Sequence, residues 1–193
     1  MANTLRIKRR AAGGAAGAPA SLANAELAKS VRAIEVRSGD TVRLGPLTVT
    51  MTANSHFDHD GKSGEQAVQS LSYRFQIGDR SITYSGDTGP SNAVTALARN
   101  TDILVSEVID LDPIMASIRQ RRPDMDASTF SQMQTHMATH HITAGDLGRL
   151  ASEAGVGRLV LTHFAIPPGP LRNSETGLRE GIGQPIVARS IWR

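Results

Sequence analysis

Apolar and polar positions alternate most clearly over Ser70–Ile77, where Leu71, Tyr73, Phe75 and Ile77 share one side of an extended chain. Gly78-Asp79 follows and leads straight into Ser81-Ile-Thr-Tyr84, so the spacing predicts a β-hairpin. Upstream, Ala33-Ile-Glu-Val36 and Leu47-Thr-Val-Thr-Met51 are short β-type runs separated by Gly39-Asp40 and Gly45-Pro46, and are expected to pair as strands. Ile103-Leu-Val105 is a short unbroken apolar run of the kind found in a strand covered on both faces. A helical segment with Val94, Leu97 and Ala98 precedes it, so the chain changes there to α/β organisation.

Residues 111–139 have helical composition interrupted at Arg122-Pro123-Asp124, which predicts two helices, because the residue before a proline is pushed out of the helical region. Thr143-Ala-Gly-Asp146 resembles a capping box, and Leu147, Leu150, Ala151 and Ala154 then fall on one helical face. Gly155 ends that helix and Arg158-Leu-Val-Leu-Thr162 reads as a buried strand terminating at His163. After Pro167-Pro-Gly-Pro170 the pattern becomes irregular, and only Pro185–Ile191 suggests a further strand.

Composition narrows the class. The 193 residues are 39% hydrophobic and 20% charged, the balance of a globular domain, and no run approaches the ~18 apolar residues of a membrane-spanning helix. Cysteine is absent, so any metal site must use His, Asp and Glu, and zinc fingers and Fe–S clusters are excluded. The sequence pI of 9.8 would suggest nucleic-acid binding if the charge were spread over the fold. Arg6, Lys8, Arg9 and Arg10 supply four of the 21 basic residues, which leaves 17 bases against 18 acids in the rest. Basicity therefore belongs to the start of the chain, where residues 1–25 read as a disordered basic and then Ala/Gly-rich leader ahead of a domain at 26–193. The leader begins like a signal peptide, but Ala11–Ala20 is too weakly apolar for an export signal, and the expectation is a cytoplasmic protein.

The histidines are not scattered. His56 and His59 follow a strand, His136, His140 and His141 lie together, and His163 ends a strand. Ser85-Gly-Asp87-Thr-Gly89 places an acid in a tight turn at the end of another strand. Taken singly, each is most simply a turn or a hydrogen-bonded side chain. Brought to one sheet rim, a carboxylate and two or three imidazoles form an N/O site suited to Zn²⁺, Mn²⁺ or Fe.

Several segments in order carry a resemblance to the metallo-β-lactamase-fold hydrolases, and within them to the ribonuclease Z-like branch. They are Val49-Thr-Met-Thr-Ala53-Asn-Ser-His56, Ser70-Leu-Ser-Tyr-Arg-Phe75, Ser81-Ile-Thr-Tyr-Ser-Gly-Asp87-Thr-Gly-Pro90, Asp102-Ile-Leu-Val-Ser-Glu107, His141-Ile-Thr-Ala144 and Leu159-Val-Leu-Thr-His163-Phe164. The resemblance implies His56, Asp87 and His163 as metal ligands, with Asp87 the bridging carboxylate. It implies that His141, in the His-x-Thr position, contacts the scissile phosphate or assists the leaving group. The implied chemistry is hydrolysis by a metal-activated water.

The chain also departs from the family pattern. The superfamily carries a His-x-His-x-Asp-His motif upstream of the His56-type ligand, and no His occurs in the 55 residues before His56. Asn54-Ser-His56-Phe-Asp58-His59 imitates that motif, but Asp87 lies only 28 positions after His59 and the stretch between holds the hairpin that in the family follows the later ligand, so the later-ligand reading is preferred. The expected fold is thus the C-terminal part of an αββα sandwich, with an apolar sheet face exposed unless another copy of the chain or a partner supplying the missing half covers it. His56, Asp87 and His163 are expected to converge within roughly 5 Å, with His141 at a helix start bordering them, His140 pointing elsewhere, and Asp58 and His59 as local substitutes. Three ligands should hold one ion weakly. The functional expectation is a metal-dependent hydrolase acting on phosphodiesters, with a small ester, lactone or cyclic phosphodiester as the alternative substrate. A metal-poor remnant working only through protein contacts is the alternative from another class, and nucleic-acid binding through the basic leader ranks last.

Overall fold

The computed structural model describes residues 34–58, 69–169 and 172–183. The leader, His59 and the strand expected at Pro185–Ile191 lie outside them. The chain divides at Val36/Arg37, and every element below belongs to the part that begins at Arg37. Among the described residues, six strands form one sheet in the order in which they occur along the chain: β1 (Thr41–Leu44), β2 (Leu47–Ala53), β3 (Leu71–Ile77), β4 (Arg80–Tyr84), β5 (Ile103–Ile109) and β6 (Leu159–Ala165). The first four are antiparallel, and β4, β5 and β6 run parallel.

The β3–β4 hairpin forms as the alternation predicts, with Gly78 at φ +56° closing the turn. The partner of β2 differs from the expectation: Ile34–Val36 forms no strand, and Thr41–Leu44 pairs with β2 instead. The cause is a reversal at residues 37–40, where Asp40 N–H donates to the Arg37 carbonyl and Gly39 sits at φ +88°. Pairing can then start only at Thr41, and Gly45-Pro46 returns the chain with Leu44 opposite Leu47.

Helix α1 (Asn92–Leu97) connects β4 to β5 and is capped by the Ser91 hydroxyl. Arg74 of β3 donates to the carbonyls of Leu97 and Arg99, fastening the end of α1 to the sheet. Helices α2 (Leu111–Arg121) and α3 (Ala127–His140) flank the Pro123 break, and Asp126 caps α3. Helix α4 (Ala144–Glu153) starts at the Thr143 cap, whose hydroxyl accepts from Asp146 N–H while donating to the Asp146 carboxylate, and Gly155 at φ +63° follows its end.

Helix α5 (Arg172–Ile182) overturns the expectation of irregular chain after Pro170. Gly177 and Gly181 weaken its helical signal, but Leu178 and Ile182 stand one turn apart and are buried in the core. Gly148 of α4 lets the Ile182 carbonyl approach so closely that a Cβ would lie 2.3 Å from it. Val94, Leu147 and Leu150 of the helices meet Leu104, Leu159 and Leu161 of the sheet, all buried, each worth roughly 1.5–3 kcal/mol. The opposite sheet face carries Leu44, Phe75, Ile77, Ile82 and Tyr84, which strand register aligns and which are all exposed. The described residues thus form one α layer and one β layer of the expected sandwich.

Candidate metal centre

The C-terminal ends of β2, β4, β5 and β6 lie at one rim, where the expected site residues gather. His56 stands three residues beyond β2, and its ring Nδ1 lies 2.8 Å from the His140 carbonyl oxygen. A carbonyl only accepts, so Nδ1 carries the proton and the Nε2 lone pair of the neutral ring is left for a ligand. Asp87 occupies the turn after β4, for which Gly86 adopts φ +64°.

His141 departs from its expected setting. Helix α3 runs through His140, and the cap of α4 is Thr143. His141 therefore closes α3 in extended conformation and does not open α4. Its Nδ1 lies 2.7 Å from Glu107 Oε2. Glu107 comes from β5 with its side chain 1% exposed, and its other oxygen accepts from Thr88 N–H at 2.6 Å. The hydrogen bond to Glu107 raises the pKa of His141 above its usual value, the negative charges of Glu107 and Asp87 add to the effect, and partial burial opposes it. The sequence signal for Glu107 is an acid in a strand whose other residues, Ser106 apart, are apolar.

His163 does not end β6 but lies inside it. Between the Ser106–Leu161 and Val108–Phe164 pairs, β6 holds one residue more than β5, and His163 in this bulge takes φ +44°. Bulges re-aim side chains, and here the imidazole Nδ1 comes to 2.6 Å from Asp87 Oδ1.

Two groups of donors result. One ligating atom from each of His56, Asp87 and His141 falls within 4.8 Å of the others, and the same holds for Asp87, Glu107 and His163. Asp87 belongs to both, while His56 and His163 do not share a group, so the single convergent trio expected from sequence is replaced by two that overlap at Asp87. His140 enters neither donor group: its Nδ1 lies on the His136 carbonyl, and its ring stands against that of His136 and edge-on to that of His56. Asp58 is exposed and enters neither group. Two carboxylates and three imidazoles without thiols suit a divalent ion of the zinc, manganese or iron type.

The domain class follows from this combination of sheet, helices and rim. A family model described as "Beta-lactamase superfamily domain" matches residues 10–164, and the chain belongs to that superfamily. Its relatives are of the ribonuclease Z kind: it is 36% identical to the ribonuclease Z of Brevibacillus brevis over 88 residues, 45% of this chain and 21% of that protein. It is 33% identical to the ribonuclease Z of Salinispora arenicola over 123 residues, 63% of this chain and 32% of that protein. The chain therefore spans about a fifth to a third of the length of these two relatives. Among solved structures, the metallo-β-lactamase fold protein YhfI from Bacillus subtilis superposes with a TM-score of 0.51 at 20% identity, covering 87% of this chain and 58% of that one. Among the described residues no helix is long and apolar enough to cross a membrane.

Proposed function

We propose that the chain is a metal-dependent hydrolase of phosphodiesters, or of a chemically related small ester, whose metal centre is built on Asp87, with His56 from one donor group and His163 from the other. The observation that carries this reading is the presence of Asp87 in both donor groups at the sheet rim. A bound divalent ion, Zn²⁺ first and Mn²⁺ or Fe as alternatives, supplies Lewis acidity toward a phosphoryl oxygen and acidifies water. His56 presents Nε2 because His140 fixes its tautomer. His141 has a different part: its Nδ1 is engaged by Glu107 Oε2, a bond that favours the protonated ring. Its Nε2–H can pass a proton to the departing oxygen, while Glu107 holds the ring in place. The ribonuclease Z relatives favour a phosphodiester, and the near-neutral charge outside residues 1–10 favours a small one.

The test is calorimetric titration of the purified protein with Zn²⁺ and Mn²⁺, beside hydrolysis of bis(p-nitrophenyl) phosphate. One equivalent of ion and slow turnover are expected. Asp87→Ala should lose both, and His141→Gln should keep the ion and lose the turnover. A folded wild-type protein that takes up no divalent ion rejects the reading, and two tight equivalents with fast turnover reject the single-ion site.

A further inference from the structure

The groups that bring the His56 and Asp87 loops together are themselves unassigned. Asn54 stands between the last residue of β2 and His56, and it is 4% exposed. Its side-chain amide makes three hydrogen bonds. Nδ2 donates to the Ser85 carbonyl at 3.1 Å and to Ser72 Oγ at 3.2 Å, and Oδ1 accepts from His56 N–H at 3.1 Å. Ser72 Oγ donates to the same Ser85 carbonyl at 2.5 Å. A single buried amide thus holds the backbone of His56 at one end and, at the other, the strand end that leads through Gly86 to Asp87.

We propose that Asn54 is a positioning residue for the metal centre, setting His56 against the Asp87 loop by donating to Ser85 across the rim. The proposal rests on His56 as a ligand, but its geometric part concerns the metal-free chain. Burying an amide at this point is costly unless every bond is made, and here the bonds join the two loops whose side chains share a donor group. With the tie cut, the His56 backbone is free to draw away from the His140 carbonyl that fixes its tautomer. Partners that orient a metal ligand typically alter affinity by 10- to 100-fold when removed.

Asn54→Asp isolates the tie. The carboxylate matches the amide in size and still accepts from His56 N–H, but it cannot donate and it faces the Ser85 carbonyl with repulsion. Two readouts are taken: the ¹⁵N shifts of the His56 ring in metal-free protein, and Zn²⁺ affinity by competition with a chromophoric chelator. The wild type should show His56 as the Nδ1–H tautomer. The variant should show averaged His56 shifts, unchanged His141 shifts because Glu107 still holds that ring, and a Zn²⁺ affinity lower by 10-fold or more. A folded variant with the wild-type His56 tautomer overturns the proposal, as does one that binds Zn²⁺ with wild-type affinity. Equal disturbance of His56 and His141 also overturns it, since that marks a general structural role. If Asn54→Asp does not fold, Asn54→Ser, which removes the donation to the Ser85 carbonyl without adding a charge, is read in the same way. If the wild type binds no Zn²⁺, the metal reading falls, and the tautomer comparison alone decides whether Asn54 positions His56.

Discussion

Glu107 Oε2 lies 2.7 Å from Nδ1 of His141, joining β5 to the end of α3 across 34 residues of chain. This pair makes the metal-free protein sensitive to pH. The native pKa of His141 is raised, chiefly by the bond to Glu107, so the folded state holds the proton more tightly than the unfolded chain does. The stabilisation is fully present below the unfolded value of about 6.5 and is lost as pH rises through the native one. Urea midpoints of metal-free protein should therefore fall as pH is raised from about 6.5, and His141→Gln should remove that fall. Asp102 and Asp126, whose pKa values are lowered by bonds from Ser81 and Thr129, act only at acid pH and leave this window clear. A wild-type midpoint that stays level across it would contradict the pairing.

Asp87 and His163 test the bulge. His163 combines its hydrogen bond to Asp87 with left-handed backbone at φ +44°, a conformation that costs a non-glycine residue roughly 1–2 kcal/mol. His163→Gly and His163→Ala both delete the imidazole and should lower divalent-ion affinity alike. Their stabilities should differ, the glycine variant being more stable by about 1 kcal/mol in urea denaturation, because only glycine takes this conformation freely. Equal stabilities would mean that the bulge relaxes when the side chain is lost.

Local signals made much of this arrangement legible. Alternation and Gly78-Asp79 identify the β3–β4 hairpin, and the Thr143–Asp146 box identifies the start of α4. His56, Asp87, His141 and His163 also gather at one rim. What was missed depends on contacts remote in sequence. Nothing near Glu107 announces that its partners are Thr88 and His141, and the His163 bulge exists only relative to the register of β5. The His-x-Thr spacing suggests a helix starting at His141, whereas α3 persists to His140 and the Thr143 cap restarts the chain afterwards. In α5 the two glycines mask a buried pair, Leu178 and Ile182, that only the docked helix makes evident.

Those two glycines are not equivalent. A Cβ at Gly177 would meet nothing within 4 Å, while one at Gly181 would lie 2.8 Å from the Ala144 side chain. Gly177→Ala should stabilise the protein by about 0.5–1 kcal/mol through helix propensity alone. Gly181→Ala should gain less or destabilise, because α5 must shift against α4. Thermal denaturation of the two variants side by side checks this, and a larger gain at Gly181 would contradict the packing of the two helices.

Gly89 carries the most consequential contact of its class. A Cβ there would stand 1.9 Å from the Thr139 carbonyl oxygen and 2.7 Å from its carbon, both backbone atoms. The end of α3 therefore rests directly on the Asp87 loop, and the two residues that follow Thr139 serve the site: the His140 carbonyl holds the His56 ring, and His141 pairs with Glu107. Even a methyl group at Gly89 must lift this end of the helix, since neither backbone atom belongs to a flexible side chain. Overpacking of this kind costs roughly 1–3 kcal/mol, and the displacement acts on His56 and His141 together. Gly89→Ala should thus lose stability, lose most of its divalent-ion affinity, and weaken the pH dependence that His141 confers. Urea unfolding across pH and Zn²⁺ competition on the same preparation measure all three. Wild-type ion affinity in a folded Gly89→Ala protein would show that α3 is not seated on the Asp87 loop.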